Sequence, residues 1–188
     1  TDNDTPGYSI SKTTSTVSEN GGVDTFTVVL TAQPQSNVVM SVGSSDTGES
    51  TVSPVSLIFT TGNWNIPQLV TITSVDDMHM GDDVSTITVS VTDGSSDNDW
   101  DPLADQTVTV TATNDDSADF LVSPNSVGMV EGASANFTVV LTAQPVSDVV
   151  LSLATSDSGA ATTTPPTSLT FTTANWNTPQ TITITGVN

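Results

Sequence analysis

Nine residues of this chain occur twice without change. Phe26-Thr27-Val28-Val29-Leu30-Thr31-Ala32-Gln33-Pro34 returns as Phe137-Thr138-Val139-Val140-Leu141-Thr142-Ala143-Gln144-Pro145, an offset of 111 positions. A second block, Asn63-Trp64-Asn65-Ile66-Pro67-Gln68, returns as Asn175-Trp176-Asn177-Thr178-Pro179-Gln180 at an offset of 112. One residue is therefore inserted between the blocks, most simply in the proline-rich stretch 162–167. The period is too long for a small solenoid repeat and suits one β-sandwich domain. The 188 residues divide into one unit over residues 1–116 and the beginning of another over 117–188.

Within the units the pattern has period two. Thr25-Phe26-Thr27-Val28, Val70-Thr71-Ile72-Thr73, Thr86-Ile87-Thr88-Val89 and Thr107-Val108-Thr109-Val110 alternate β-branched or aromatic residues with hydroxyls. This is the mark of half-buried strands, and no stretch has the period of an amphipathic helix. Strands are expected near 8–17, 22–31, 37–42, 56–60, 68–75, 84–92 and 106–113. Polar turns separate them, among them Asn20-Gly21-Gly22, Gln33-Pro34 and Asp93-Gly94. The second unit repeats five of them, near 120–130, 134–142, 148–153, 168–172 and 180–187. The expected class is all-β, tandem antiparallel β-sandwiches with the second incomplete.

The charge is lopsided. Lys12 is the one basic side chain besides His79, against 21 Asp plus Glu, for a net charge of −20. Nucleic acid and anionic membranes need Lys and Arg to neutralise phosphates, so neither is an expected partner. No apolar run approaches the roughly 20 residues that span a bilayer. Without Cys, disulfides and thiolate metal sites are excluded. A secreted domain lacking disulfides is suited by another clamp, a hard cation held by carboxylates. The chain reads as a piece of a longer secreted protein, extracellular or at the cell surface, with few places for trypsin to cut.

The positions of the acids choose between a clamp and mere solubility. If consecutive strands are antiparallel, their ends alternate between two poles. Glu19, Asp46, Asp76, Asp77, Asp82, Asp83, Asp115 and Asp116 then converge on one pole, at the junction with the next unit. A solubility device would spread its charges, and converging carboxylates repel unless protons or cations intervene. Ca²⁺, which takes six to eight oxygens in tolerant geometry, is the expected ion. One His and no Cys make Zn²⁺ a poor fit.

At this point the motifs match a family. Val17-Ser18-Glu19-Asn20-Gly21-Gly22, Ser45-Asp46-Thr47-Gly48-Glu49, Leu57-Ile58-Phe59-Thr60 followed by Asn63-Trp64-Asn65-Ile66-Pro67-Gln68, Val75-Asp76-Asp77 and Asn114-Asp115-Asp116 together resemble the Calx-β repeat, in the form found in large bacterial surface proteins and adhesins. The resemblance implies an immunoglobulin-like sandwich with Ca²⁺ at the pole leading into the next domain. It carries the ligand positions to Glu19, Asp46, Asp76, Asp77, Asp115 and Asp116. In the second unit Glu131 and Asp157 match, while Asn188 falls on the position of Asp76. Met78-His79-Met80-Gly81 replaces part of an acid-rich turn, which favours one or two ions over a larger cluster.

Other features lead to duller readings. Asp97-Asn98-Asp99-Trp100-Asp101 starts like an EF-hand loop but lacks its Gly and distant Glu, so an ordinary polar loop is expected. Trp64 and Trp176, within the repeated turn, are expected to cover the ends of their sandwiches rather than to stack on sugars. His79 is taken as a surface residue. Paired carboxylates without a cleft give no glycosidase, and the chain is not expected to be an enzyme. Twisted strands do not make the flat Thr array of an ice-binding face. Asn3 and Asn136 each lie in an Asn-x-Thr sequon. The expected function is a Ca²⁺-stabilised spacer whose partners are neighbouring repeats. The alternative is an adhesive or self-assembling module that binds a glycan, a host surface or copies of itself, in a filament built by donated strands.

Overall fold

A computed structural model describes residues 4–164 and 167–188. Asn3 and part of the expected insertion, Pro165 and Pro166, lie outside the described residues. The chain divides into two compact units, one of residues 1–77 and 82–115, the other of 78–81 and 116–188.

Unit 1 is a sandwich of two sheets. Its strands are β1 (Tyr8–Ile10), β2 (Thr14–Ser18), β3 (Val23–Leu30), β4 (Val38–Ser44), β5 (Ser50–Ser53), β6 (Ser56–Phe59), β7 (Gln68–Ser74), β8 (Asp83–Val91) and β9 (Gln106–Thr113). One sheet has the order β1-β3-β7-β5 and the other β2-β9-β8-β4-β6. The alternation seen in the sequence sends Phe26, Val28, Leu30, Val70, Ile72, Ile87, Val89, Val108 and Val110 into a common core.

Two expectations are corrected. The strand expected over 8–17 is two strands, because β1 pairs with β3 in one sheet and β2 with β9 in the other. Likewise β5 pairs with β7, and β6 crosses to pair with β4. The β2–β9 pairing is parallel, so the sandwich is not wholly antiparallel. Both split paths keep their direction as they change sheet. From Tyr8↔Leu30 through Ser15–Asp24 to the Ser18–Gly22 turn, β1 and β2 run steadily against β3. The alternation of poles therefore survives the split.

The lone cation fastens the first crossing. Lys12 Nζ, between β1 and β2, lies 2.6 Å from Asp24 Oδ2 on β3, which also accepts from Ser15 Oγ at 2.5 Å. The Lys12 ammonium first, then the Ser15 hydroxyl, hold the Asp24 carboxyl down to about 2.

Unit 2 contains β10 (Phe120–Ser123), β11 (Ser134–Leu141), β12 (Val149–Ser152), β13 (Ala161–Thr163), β14 (Ser168–Phe171) and β15 (Gln180–Gly186). They form a sheet β10-β11-β15-β13 and a pair β12-β14. The strand expected over 120–130 ends at Ser123. Its counterpart in unit 1 continues as β2, whose one hydrogen-bonded neighbour is β9. Among the described residues unit 2 has no counterpart of β8 or β9. Its buried cluster is correspondingly small: Val139, Leu141, Leu169, Phe171 and Ile182. The segment 78–81 belongs here, with Gln144 N–H donating to Met78 O at 2.6 Å. His79 is half-buried, not the surface residue expected.

Candidate metal centre

Three carboxylates meet at one pole of unit 1. Glu19 follows β2, Asp77 follows β7, and Asp83 opens β8. Each offers an oxygen, and the three lie within 4.8 Å of one another. Among the described residues no other set of three His, Asp or Glu comes this close. Glu19 is 1% exposed, while Asp77 and Asp83 are half-buried.

Local chemistry explains how Glu19 is placed. It continues the inward parity of Ser15 and Val17, both buried. Its backbone N–H donates to Thr113 O at the end of β9, at 3.0 Å. The chain then turns sharply through Gly21, at φ 67, and Gly22, where a Cβ would come within 2.4 Å of Ser18 O. Ser74 Oγ, on the buried face of β7, reaches Ser18 O and Glu19 O at 2.5 and 3.2 Å. Asp77 N–H donates to Glu19 Oε1 at 3.2 Å, joining the second carboxylate segment to the first.

The electrostatics of this arrangement favour a shared proton, a donor or a counter-charge. Two unit charges about 4 Å apart interact by about 4 kcal/mol at an effective dielectric near 20. Burying a carboxylate such as Glu19 adds a desolvation cost that protons, cations or donors must offset. The donor set is oxygen only, which suits a hard divalent cation and not Zn²⁺.

The other expected ligands are placed differently. Asp46 is exposed and closes its own turn, Oδ1 accepting from Gly48 N–H at 2.8 Å. Asp157 does the same with Gly159 N–H, also at 2.8 Å. Asp76 and Asp115 are exposed and outside the group of three. Asp82 is exposed too, its Oδ1 accepting from Asn114 N–H at 3.0 Å. The structure puts Asp83 in the group instead. Asp83 shares the parity of Ser85, Ile87 and Val89, which face inward, whereas Asp82 shares that of the exposed Val84. Asp116 is half-buried and Glu131 exposed, both in unit 2.

At the opposite pole the polar groups serve the fold. Asp97, 8% exposed, accepts from the backbone N–H of Gln35, Ser36 and Asp99 at 2.7, 2.9 and 3.2 Å. The Ser36 bond above all holds its carboxyl below the usual range, against the opposing effect of burial. The loop that looked like the start of an EF-hand is thus a strap over the 33–36 turn. Trp100 in the same loop is 1% exposed and is the largest fully buried side chain, a core residue that the polar flanks concealed.

The repeated blocks also meet here. Asn63 Oδ1 accepts from Thr60 N–H at 2.6 Å, and Gln33 Nε2 donates to Thr61 O at 2.8 Å. Asn175 and Gln144 make the same bonds to Thr172 and Thr173 at 2.6 and 2.9 Å. Trp64 and Trp176 pack half-buried against their cores. The sequence identity between the blocks is the identity of one locked turn.

No protein-family profile matches the chain, and no curated protein matches it in sequence. Similar solved structures include the calcium binding domain CBD12 of CALX1.1, at 19% identity and TM-score 0.45, covering 77% of this chain and 61% of that one. SSP-19, an MSP-domain protein like family member in Caenorhabditis elegans, has 17% identity and TM-score 0.43, covering 56% and 99%. The CsuC-CsuE chaperone-tip adhesion subunit pre-assembly complex of Acinetobacter baumannii has 9% identity and TM-score 0.45, covering 78% and 76%. Each TM-score is below 0.5, so function is argued from this chain's own residues. No helix among the described residues is long and apolar enough to cross a membrane.

Proposed function

We propose that the chain is a Ca²⁺-stabilised, non-catalytic spacer from a long extracellular surface protein or adhesin, built of tandem sandwiches of Calx-β type. The observation that carries this reading is the meeting of Glu19, Asp77 and Asp83 at one pole of unit 1, in a chain with a single Lys or Arg. Bound Ca²⁺ would cancel their repulsion and tie together the ends of β2, β7 and β8. These lie at the pole from which β9 leads on to Asp115. The ion would thus stiffen the end of the unit from which the chain continues. The neighbouring partners of such a spacer are further repeats.

Thermal unfolding of the whole chain in EDTA, in millimolar Ca²⁺ and in millimolar Mg²⁺ tests the proposal. A ligand at 100 times its Kd stabilises by about 2.7 kcal/mol, a rise of several degrees in Tm for a unit of this size. The rise is expected for Ca²⁺ and is expected to vanish in Glu19→Gln and Asp83→Asn. No Ca²⁺-dependent rise in the unaltered chain would end the proposal.

A further inference from the structure

One turn of the chain departs from its acidic surroundings. Met78-His79-Met80-Gly81 carries no acid and lies between Asp76-Asp77 and Asp82-Asp83. In sequence it falls between β7 and β8, yet it belongs to unit 2. There His79 is bridged in parallel to Gln144 of the repeated block. Gln144 N–H donates to Met78 O at 2.6 Å, and Met80 N–H donates to Gln144 O at 3.3 Å. Met80 lines an apolar cavity together with Ala118, Ala143 and Pro145. Unit 1 has the same walls. Pro6, Ala32 and Pro34 are the counterparts of those three residues and line a cavity of about 440 Å³. Gln33 borders this cavity and is exposed. Neither its backbone N–H nor its C=O has a bonding partner among the described residues. Asp97 and Trp100, from the loop between β8 and β9, form another wall. The seat is therefore compatible with a repeat that has its β8–β9 loop, and it does not arise from the strands that unit 2 lacks.

We propose that the Ala-Gln-Pro end of the repeated block is a seat for the β7–β8 turn of the repeat before it, and that residues 78–81 are the strap that fills this seat in unit 2. The strap holds by two kinds of contact. Main-chain bonds to Gln144 fix its register, as in strand addition. The Met80 side chain, unbranched and adaptable, packs beside the small residues of the seat. An acidic turn would make a poor strap, because its carboxylates would lose hydration against Ala and Pro side chains. The Met-rich turn thus gives up carboxylate ligands and gains a docking face. The identical Gln33 and Gln144 acquire a second role, on the main chain, beside their side-chain bonds to Thr61 O and Thr173 O. Such a strap makes a repeat depend on its predecessor for part of its own fold. As a joint between repeats it rests on the tandem-spacer reading, but neither the strap nor its test involves the cation, so the two stand or fall separately.

The test uses the whole chain. Gln144→Pro and Gln33→Pro lose equivalent side-chain bonds, but only Gln144→Pro removes a main-chain donor that is in use. Calorimetry should show the unit 2 transition falling in Gln144→Pro by several degrees more than the unit 1 transition falls in Gln33→Pro. Amide exchange gives a reading that survives if a proline variant fails to fold. In the unaltered chain the Gln144 and Met80 amides should be protected and the Gln33 amide should exchange freely. Met80→Asp should release the Gln144 and Met80 amides while those of β11 and β15 keep their protection. Equal falls for the two prolines, a Gln144 amide that exchanges as fast as that of Gln33, or a Met80→Asp chain whose lost stability lies in unit 1 would overturn the proposal.

Discussion

Tyr8 and Phe120 occupy the same place in the two units and differ by one oxygen. Tyr8 is buried and its hydroxyl is fixed by Val89 O on β8, with Ala104 O at 3.0 Å. Phe120 has no hydroxyl to satisfy and is exposed. Ser50 and Ala161 repeat the contrast, since the partner of Ser50 is Ser85 on β8. Polar groups whose partners lie inside the shared strands are instead retained. Asn63, Gln33, Gln68 and Asp46 have Asn175, Gln144, Gln180 and Asp157 as counterparts, bonded in the same way. A buried polar atom is worth keeping only beside its partner.

The cores follow the same division. Val28, Leu30, Leu57, Phe59 and Val70 are buried, and so are their counterparts Val139, Leu141, Leu169, Phe171 and Ile182. Phe26, Val38, Met40, Val42 and Ile72 are buried, but Phe137, Val149, Leu151, Leu153 and Ile184 are only partly so. The pole that holds the locked turn is complete in both units. The face that β8 covers in unit 1 is the part that differs.

Five substitutions measure this comparison, beginning with the largest effect. Trp100→Ala should cost unit 1 about 3–5 kcal/mol, as for other large buried aromatics. Among the described residues unit 2 has no counterpart of the Trp100 loop, so calorimetry should show one transition falling and the other unmoved. A common fall would mean that the two units unfold together. Asp97→Ala leaves three backbone N–H groups without their acceptor and should cost about 1–3 kcal/mol, again in unit 1 alone. Because its carboxyl is held low, the contribution of Asp97 is full above the unfolded value near 3.9 and is lost as pH falls below it.

Asn63→Ala and Asn175→Ala remove the same bonds from the two units, at about 1 kcal/mol each by denaturant unfolding. Equal losses would show that the turn stabilises each unit locally. A much larger loss in one unit would tie the turn to the strands that differ. The smallest effect belongs to Lys12→Met, under about 1 kcal/mol for a partly exposed pair. Its signature is the Asp24 carboxyl, which NMR titration should find moving up from about 2 but staying below the ordinary range, since Ser15 and the Thr25 N–H still donate. The pair's contribution in the unaltered chain is full above about pH 3.9 and lost as pH falls toward 2.

The sequence made the strands legible because β-branched alternation leaves little choice of face. Residues 106–113 were read with both bounds as observed, and the alternation of poles brought Glu19, Asp77 and Asp83 to one end. The splitting of the first strand was not legible. Ser11-Lys12-Thr13 contains no Gly or Pro, and the change of sheet depends on β9, almost a hundred residues away. Trp100 was hidden by the acids around it, which turned out to bond backbone rather than solvent or metal. Choosing Asp83 over Asp82 needed only the inward parity of Ile87 and Val89 extended back by four residues. Val84, apolar yet exposed, obscured it. The exposure of Asp76 had no such signal, because the chain leaves the sheet at Ser74 before parity can place it.

The parallel pairing of β2 with β9 has a mechanical consequence. β2 enters unit 1 near its beginning, β9 leaves near its end, and the two lie side by side in register from Thr14↔Thr109 to Ser18↔Thr113. Tension applied through the two ends pulls these neighbours in opposite directions along their common axis. Every hydrogen bond between them is loaded at once, in shear, instead of opening one after another like a zipper. Under load the unit resists with its whole β2–β9 seam.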